Sequence, residues 1–215
     1  NFTLTVTGTT SVTGTLALGG TGNKRFDGLV TINAGGTWTN NTSNSLVNFR
    51  GGLTNNGTFT SGTGTQTFDT NSQAISGNVT MSNVTVTTVT LTNNGTLTVS
   101  SALSVTGTLT NGSTGTLNIG GTAGITTLTA TAAGNIVNYN GAAQTVKATT
   151  YSNLTLSGSG TKTFSANTVI SNLMVVSSGV KVNLNGITTH TTGVLTLGGT
   201  GPLSSSWGAT GSGAV

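Results

Sequence analysis

The sequence predicts an all-β fold, a parallel β-solenoid (β-helix) of about ten coils with roughly 20 residues per coil. Three observations support this prediction. Apolar residues alternate with Thr, Ser and Asn, pairs such as Asn-Gly and Gly-Gly interrupt the alternating runs, and similar segments recur at a nearly constant interval. Antiparallel β-sandwich repeats are the alternative, because the same turn residues also connect the strands of hairpins.

Strict alternation of apolar and polar residues defines the predicted strands. A period of two places Phe2, Leu4 and Val6 on one face of a strand and the intervening threonines on the other. Thr and Val are β-branched, which disfavours helices and suits a pleated surface. No window shows a convincing helical period, so we expect almost no helix.

The spacing of equivalent strand positions favours the solenoid over the sandwich. A solenoid stacks equivalent residues once per coil, and the similar positions lie 18 to 22 residues apart, except for one interval of 38 that corresponds to two coils. These positions are Trp38, Phe59, Leu97, Leu117, Ile136, Leu154, Leu173 and Leu195. A longer echo relates Phe68–Val86 to Val137–Leu156 and aligns Gln73 with Gln144.

The regular pattern covers residues 1–197, which we interpret as the solenoid. Residues 198–215 contain the only proline, Pro202, and a Gly/Ser-rich run. They are expected to form a frayed terminal coil or a linker. Neither end shows an amphipathic helix that would cap a terminal coil, so we expect open strand edges there.

Charge is nearly absent. Charged residues make up 4% of the sequence, against about a quarter in an ordinary globular protein. Like charges would repel if they were stacked in a parallel in-register ladder, whereas Thr and Asn can hydrogen-bond to the coils above and below. The net charge of +4 is dispersed, so we expect no nucleic-acid partner. No apolar stretch is long enough to predict a membrane span.

Three segments resemble a known class of proteins: "LTNNGTLTV", "YSNLTLSGSGTKTF" and "LTLGGTGPLSSSWGATGSGA". They are similar to repeat segments of large secreted bacterial surface proteins of the adhesin-like, β-solenoid type. The resemblance implies an extracellular location at the cell surface and a structural, adhesive or filamentous role. It implies no catalytic residue.

Groups suited to catalysis or metal binding are scarce. The only acids, Asp27 and Asp69, are 42 positions apart, which places them about two coils, or roughly 10 Å, apart along a solenoid axis and leaves open whether they share a side. We interpret both as turn or surface residues. His190 is the only histidine, expected to face solvent, and cysteine is absent. The sequence therefore predicts no enzyme, no metal site and no cofactor.

Four aromatic residues are the only candidates for a binding site. Trp38, Tyr139, Tyr151 and Trp207 could stack on sugar rings. The alternative is that these scattered aromatics fill corners or the core, as such residues more often do.

Repeated Thr-x-Thr pairs suggest a flat ladder of hydroxyls, as on the surface of an ice-binding protein. The pairs are Thr37/Thr39, Thr58/Thr60, Thr96/Thr98, Thr161/Thr163 and Thr189/Thr191. The ladder is expected to break where the equivalent positions become Thr116/Asn118 and then Asn135/Val137.

The function that the sequence favours is structural: an extracellular protein whose solenoid units stack head to tail into a surface filament or an adhesin stalk. The expected partner is a second copy of the chain. Two alternatives remain at this point. One is an adhesin domain that binds carbohydrate or an abiotic surface, and the other is an ice-binding protein that uses the Thr-x-Thr ladder.

Overall fold

The computed structural model of the chain describes residues 1–186, 189–198 and 200–203. Within them the chain forms strands and no helix. The strands, in chain order, are β1 (Leu4–Val6), β2 (Thr10–Val12), β3 (Thr15–Ala17), β4 (Lys24–Phe26), β5 (Val30–Ile32), β6 (Thr37–Thr39), β7 (Val47–Phe49), β8 (Leu53–Asn55), β9 (Thr58–Thr60), β10 (Thr65–Phe68), β11 (Gln73–Val86), β12 (Thr90–Asn93), β13 (Thr96–Asn111), β14 (Thr116–Ile119), β15 (Thr122–Thr129), β16 (Ile136–Tyr139), β17 (Gln144–Val146), β18 (Thr150–Leu156), β19 (Thr161–Phe164), β20 (Thr168–Val176), β21 (Lys181–Asn183), β22 (His190–Leu197) and β23 (Thr200–Leu203).

These strands wind into ten coils, and each coil contributes one segment to each of three faces. Face 1 consists of β1, β4, β7, β10, the last part of β11, the middle of β13, the first part of β15, β17, β19 and β21. Face 2 consists of β2, β5, β8, the first part of β11, β12, the last parts of β13 and β15, and the first parts of β18, β20 and β22. Face 3 consists of β3, β6, β9, the middle of β11, the first part of β13, β14, β16 and the last parts of β18, β20 and β22.

The prediction of a parallel β-solenoid is confirmed. Every strand pair among the described residues is parallel except that of β22 with β23. Paired residues lie about 20 positions apart in sequence, as in Leu97 with Leu117. The antiparallel β-sandwich alternative is therefore wrong.

Two of the predicted repeat positions are displaced by one residue. Leu117 pairs with Val137 rather than with Ile136, and the equivalent residue in the ninth coil is Met174 rather than Leu173. Because successive side chains on a strand point to opposite faces, the displacement moves each residue from the core to the outer surface. Both errors arise where two apolar residues are adjacent, which leaves the period-two pattern ambiguous.

The echo between two longer segments reflects similar corners rather than stacked coils. Gln73 lies on face 2 and Gln144 lies on face 1, so the two residues are not equivalent in the solenoid. Both side chains nevertheless form hydrogen bonds with backbone groups at a corner. The Gln73 Nε2 donates to Phe49 O at 2.9 Å and its Oε1 accepts from Gly52 N, while the Gln144 Nε2 donates to Ile119 O at 2.8 Å. Each glutamine satisfies backbone groups that a corner leaves unpaired.

The core runs through the interior of the solenoid and contains the inward-facing residue of each strand. An aromatic cluster lies in coils 2 to 4, with ring centroids 5.1 Å apart for Phe26 and Trp38 and 5.4 Å apart for Phe49 and Phe68. Beyond this cluster, aliphatic residues such as Leu97 occupy the interior and have no exposed surface. Each coil thus buries its apolar side chains against the coils above and below.

Buried asparagines connect successive coils at the corner between faces 2 and 3. The Asn93 Nδ2 donates to the Asn111 Oδ1 at 2.8 Å, and the Asn111 Nδ2 donates to Gly115 O and Ile136 O. In the next coil the Asn135 Nδ2 donates to Asn111 O at 2.9 Å. These amides satisfy carbonyl groups that the corner takes out of the strand ladder.

Close stacking also fixes the size of some corner residues. Gly77 has a φ of +78°, and a Cβ at this position would lie 1.8 Å from Asn55 O in the preceding coil. A side chain is therefore excluded both by the left-handed backbone and by the adjacent coil.

One strand edge that the sequence led us to expect as open is occupied. β23 pairs antiparallel with the last part of β22, so that Leu195 lies opposite Leu203 and Thr196 opposite Pro202. The outer edge of the last strand on face 3 is therefore covered. Residues 200–203, which belong to the segment expected to be frayed or a linker, form this strand, while residues 204–215 lie outside the described part of the chain.

Substitution of Asn111 by Ala tests the interior asparagine column. Loss of the amide leaves buried carbonyl oxygens without a donor, at a cost of about 1–3 kcal/mol per group. We expect Asn111→Ala to lower the free energy of unfolding by at least this amount in urea titrations, while Asn94→Ala, at an exposed neighbouring position, changes it little. Equal effects of the two substitutions would contradict a structural role for the column.

Candidate functional site

The aromatic residues considered for sugar stacking lie in the core. Trp38, Tyr139 and Tyr151 have no exposed surface, and the Trp38 ring contacts Phe59 with centroids 5.9 Å apart. A buried ring offers no face to a sugar, so the stacking interpretation is wrong for these three residues. Trp207, the fourth candidate, lies outside the described residues.

The two tyrosines instead form a buried hydrogen-bonded pair. Their hydroxyl oxygens lie 3.3 Å apart, the Tyr139 Oη accepts from Lys147 N at 3.0 Å, and the Tyr151 Oη donates to Lys147 O. Burial raises the pKa of Tyr139 and raises that of Tyr151 well above its ordinary value. Both phenols are therefore neutral and hold the backbone of the corner that follows β17.

The two acids lie at equivalent positions of one corner. The residue that directly follows the face 1 strand is Asp27 in coil 2, Arg50 in coil 3 and Asp69 in coil 4. The Arg50 Nε lies 2.7 Å from the Asp69 Oδ1, and the Arg50 Nη1 lies 3.7 Å from the Asp27 Oδ1. Arg25 also forms an ion pair with Asp27, with its Nη2 2.8 Å from the Asp27 Oδ2. The acids thus share a side of the rod, with an arginine between them, and form a column of alternating charge.

This arrangement keeps the Asp69 carboxylate ionised and paired with Arg50. Burial on its own raises the pKa of Asp69, but hydrogen bonds from Thr70, Arg50 and Asn48 outweigh burial, and the pKa lies below its ordinary value. A general acid requires a carboxyl group that is protonated near the working pH. The geometry of this pair fits an ion-pair column that aligns three coils.

Two lysines are buried and serve as donors to corner carbonyl groups. The Lys24 Nζ donates to Gly22 O at 2.6 Å, and the Lys162 Nζ donates to Gly141 O at 2.7 Å and Ala142 O at 2.6 Å. Burial lowers the pKa of Lys162. With Arg25 and Arg50 paired to acids, four of the six cationic side chains are engaged within the protein.

His190 faces the interior and not solvent, contrary to the expectation from its Thr-rich strand. Its ring centroid lies 4.7 Å from that of Phe164. Together with Ile170, Met174 and Leu195 it lines a cavity of about 110 Å³ at the C-terminal end of the core. The position follows from the register, because His190 pairs with the inward-facing Thr168. Among the described residues no three potential ligand side chains come together as a metal site.

A groove lies along the corner between faces 3 and 1, at coils 5 to 8. It encloses about 550 Å³ and is lined by small residues, including Ser100, Ser101, Gly120 and Gly121. The corner is indented here because only two residues connect β14 to β15. The lining contains no carboxylate, histidine or lysine.

The two ends of the solenoid leave part of the interior uncovered. In the first coil Leu4, Val6 and Leu16 are only half-buried, and Phe2 is 59% exposed. At the other end Val182 and Leu184 are also half-buried. Both ends therefore present apolar side chains that a further coil would cover.

The Thr-x-Thr pairs that the sequence suggested do not form one ladder. Thr161/Thr163 lie on face 1, and Thr191 lies on face 2. Three pairs do share face 3: Thr37/Thr39, Thr58/Thr60 and Thr96/Thr98.

Face 3 then continues through amide side chains. After Thr116/Asn118 the next pair is Ile136/Asn138, not Asn135/Val137. The Asn138 Nδ2 donates to the Asn118 Oδ1, and the Asn118 Nδ2 donates to the Thr98 Oγ1, both at 3.1 Å. The polar groups of this column therefore satisfy one another along the rod.

A second set of threonines, which the sequence analysis missed, lies in register on face 2. Thr-Leu-Thr occurs in three successive coils, with the leucines buried and the threonines facing outward. We call these residues the face 2 array: Thr90, Thr92, Thr108, Thr110, Thr127 and Thr129. The sequence signal was the Thr-Leu-Thr triplet repeated at intervals of 18 and 19 residues, which the similar triplet at Thr96–Thr98, on a different face, obscured.

Comparison with known proteins identified no match: no family model, no curated protein and no solved structure is similar to this chain. In the part of the chain that the structure describes, no helix has the length and hydropathy needed to cross a membrane.

Acid titration tests the ion-pair column. The lowered pKa of Asp69 gives stability that is present above the pKa of the unfolded chain, about 3.9, and is lost as the pH falls through the folded value. We expect Asp69→Asn to reduce the loss of stability in acid, measured by urea unfolding across this range. Thr87→Asn, at the equivalent position one coil later, should leave the acid dependence unchanged.

The inward-facing position of His190 predicts a second pH dependence of stability. Burial lowers its pKa, against a smaller opposing effect of the Leu184 backbone, so its contribution is present above about pH 6.5 and is lost as the pH falls through the folded value. The hydrogen-exchange protection factors of amides in β20 and β22 should fall as the pH is lowered over this range, and His190→Phe should abolish this fall. Since the chain has a single histidine, an unchanged profile in the variant would contradict this assignment.

Proposed function

We propose that this chain is an extracellular structural protein of the cell surface, a solenoid rod that stacks with further copies into a filament or an adhesin stalk. The observation that carries the proposal is the state of the two ends. Apolar interior residues remain half-exposed there, whereas Phe49, Leu97 and Leu154 in the middle coils have no exposed surface. A second copy would extend the core by the same contacts that join the coils within one chain.

The strand edges support the same proposal. On the outer side of the first coil, β1, β2 and β3 pair with no other described strand. At the other end the outer edges of β21 and of the first part of β22 are likewise free of a described partner, while β23 occupies the edge on face 3. Parallel stacking of two copies could therefore pair strands directly on faces 1 and 2. On face 3 it would require β23 to dissociate from β22.

The chemistry of the described surface is consistent with a structural role. The acids are paired with arginines, Lys24 and Lys162 are buried, and the groove at the corner between faces 3 and 1 is lined by no carboxylate, histidine or lysine. Ten coils at about 4.8 Å per coil give a rod about 50 Å long. The sequence resemblance to repeat segments of secreted bacterial surface proteins supports the extracellular location.

Charge introduced at the uncovered end tests the proposal. Val6 faces the interior of the first coil, and the adjacent Thr7 is exposed above the column that contains Asp27. We expect the purified chain to form filaments in electron micrographs, Val6→Lys to abolish them, because it places an ammonium group where an apolar contact forms, and Thr7→Lys to leave them intact. Persistently monomeric wild-type protein over a range of concentrations would reject the proposal.

A further inference from the structure

The face 2 array presents hydroxyl groups that the protein itself does not use. Register pairs Thr90 with Thr108 and Thr108 with Thr127, and the second column, which starts at Thr92, runs parallel to the first. Within the described part of the chain none of the six side-chain hydroxyls makes a hydrogen bond with the protein. On face 3, in contrast, the Asn118 Nδ2 donates a hydrogen bond to the Thr98 hydroxyl.

The array repeats in two directions. Alternate residues of a strand are separated by about 6.6–6.8 Å, and successive coils are separated by about 4.8 Å. The buried leucines, Leu91, Leu109 and Leu128, fix the strands from beneath, and β-branched threonine has few side-chain rotamers. The hydroxyls are therefore held in a regular, preorganised lattice, so ordering them costs little entropy on binding.

Several partners can be set aside from the chemistry of this surface. The strand segments that carry the array contain no Lys, Arg, Asp or Glu, so the array itself offers no charge complementarity to a charged mineral or a polyanion. Recognition of crystalline polysaccharide uses exposed aromatic rings that stack on sugars. Among the described aromatic residues only Phe2, at the distant N-terminal end, is exposed. What the array offers is a neutral lattice of paired hydroxyl and methyl groups.

We propose that the face 2 array binds the surface of ice. Only a partner that itself repeats in two directions can engage all six positions at once, and water in a crystal is a neutral repeating array of donors and acceptors. A threonine hydroxyl donates and accepts as water does, and the methyl groups between the hydroxyls restrict the orientation of adjacent water. This activity is independent of filament formation, because it requires only three coils of one chain.

The test compares one substitution in the array with a matched one on another face. Thr110 lies at the centre of the face 2 array, and Thr85 is a half-buried threonine that faces outward on face 1. Tyrosine is well tolerated in strands but is too large for a flat lattice of threonines. We expect the wild-type chain to shape ice crystals and show thermal hysteresis, Thr110→Tyr to lose both, and Thr85→Tyr to retain both.

Circular dichroism and thermal unfolding establish that the variants are folded. If Thr110→Tyr does not fold, the valine substitutions Thr110→Val and Thr85→Val replace the pair, and only the first should weaken ice shaping. Absence of ice shaping by the wild-type chain overturns the proposal. Equal loss in the two variants, or binding to crystalline cellulose without binding to ice, overturns it as well.

Discussion

Every feature of this protein depends on the parallel, in-register stacking of one coil on the next. Hydrogen bonds between strands join residues about 20 positions apart in sequence, so a strand side chain in an inner coil has an equivalent residue in the coil above and in the coil below. A residue type is therefore acceptable only if it can stack on a similar one. Thr, Asn, Val and Leu meet this condition, because their hydroxyls and amides bond along the column or their apolar groups pack.

The charged residues show how strictly this condition applies. The paired surface charges alternate along one column, from Asp27 through Arg50 to Asp69, so that neighbours attract. Lys24 and Lys162 avoid the surface columns altogether and point inward, where each ammonium group binds corner carbonyl oxygens. The low charge of the sequence thus follows from stacking. Both acids and four of the six cations stabilise contacts between coils or at corners.

The fold could be predicted from sequence because two periods are visible in it: apolar and polar residues alternate with a period of two, and equivalent strand positions recur about every 20 residues. The interior could not be predicted in full, because adjacent apolar residues such as Ile136 and Val137 leave the strand phase undetermined, and a shift of one residue exchanges core and surface. The corners misled us for a related reason. Gln73 and Gln144 satisfy similar corner groups on different sides of the rod, so local similarity suggested an equivalence that the fold does not contain.

The sequence did not predict correctly which side chains are exposed, or on which face they lie, where this depended on the surrounding fold. Trp38, Tyr139 and His190 were assigned from sequence context, but their positions inside the solenoid depend on strand phase and on contacts with the adjacent coil. The Thr-Leu-Thr triplets at Thr96 and Thr108 are identical in sequence, yet they lie on different faces. On face 3 the Asn118 amide donates to the Thr98 hydroxyl, whereas the hydroxyls of the face 2 array make no hydrogen bond with the described residues. Which polar face remains available to an external partner is therefore decided by the residues stacked in each column, since a column that satisfies its own hydrogen bonds has little left to offer.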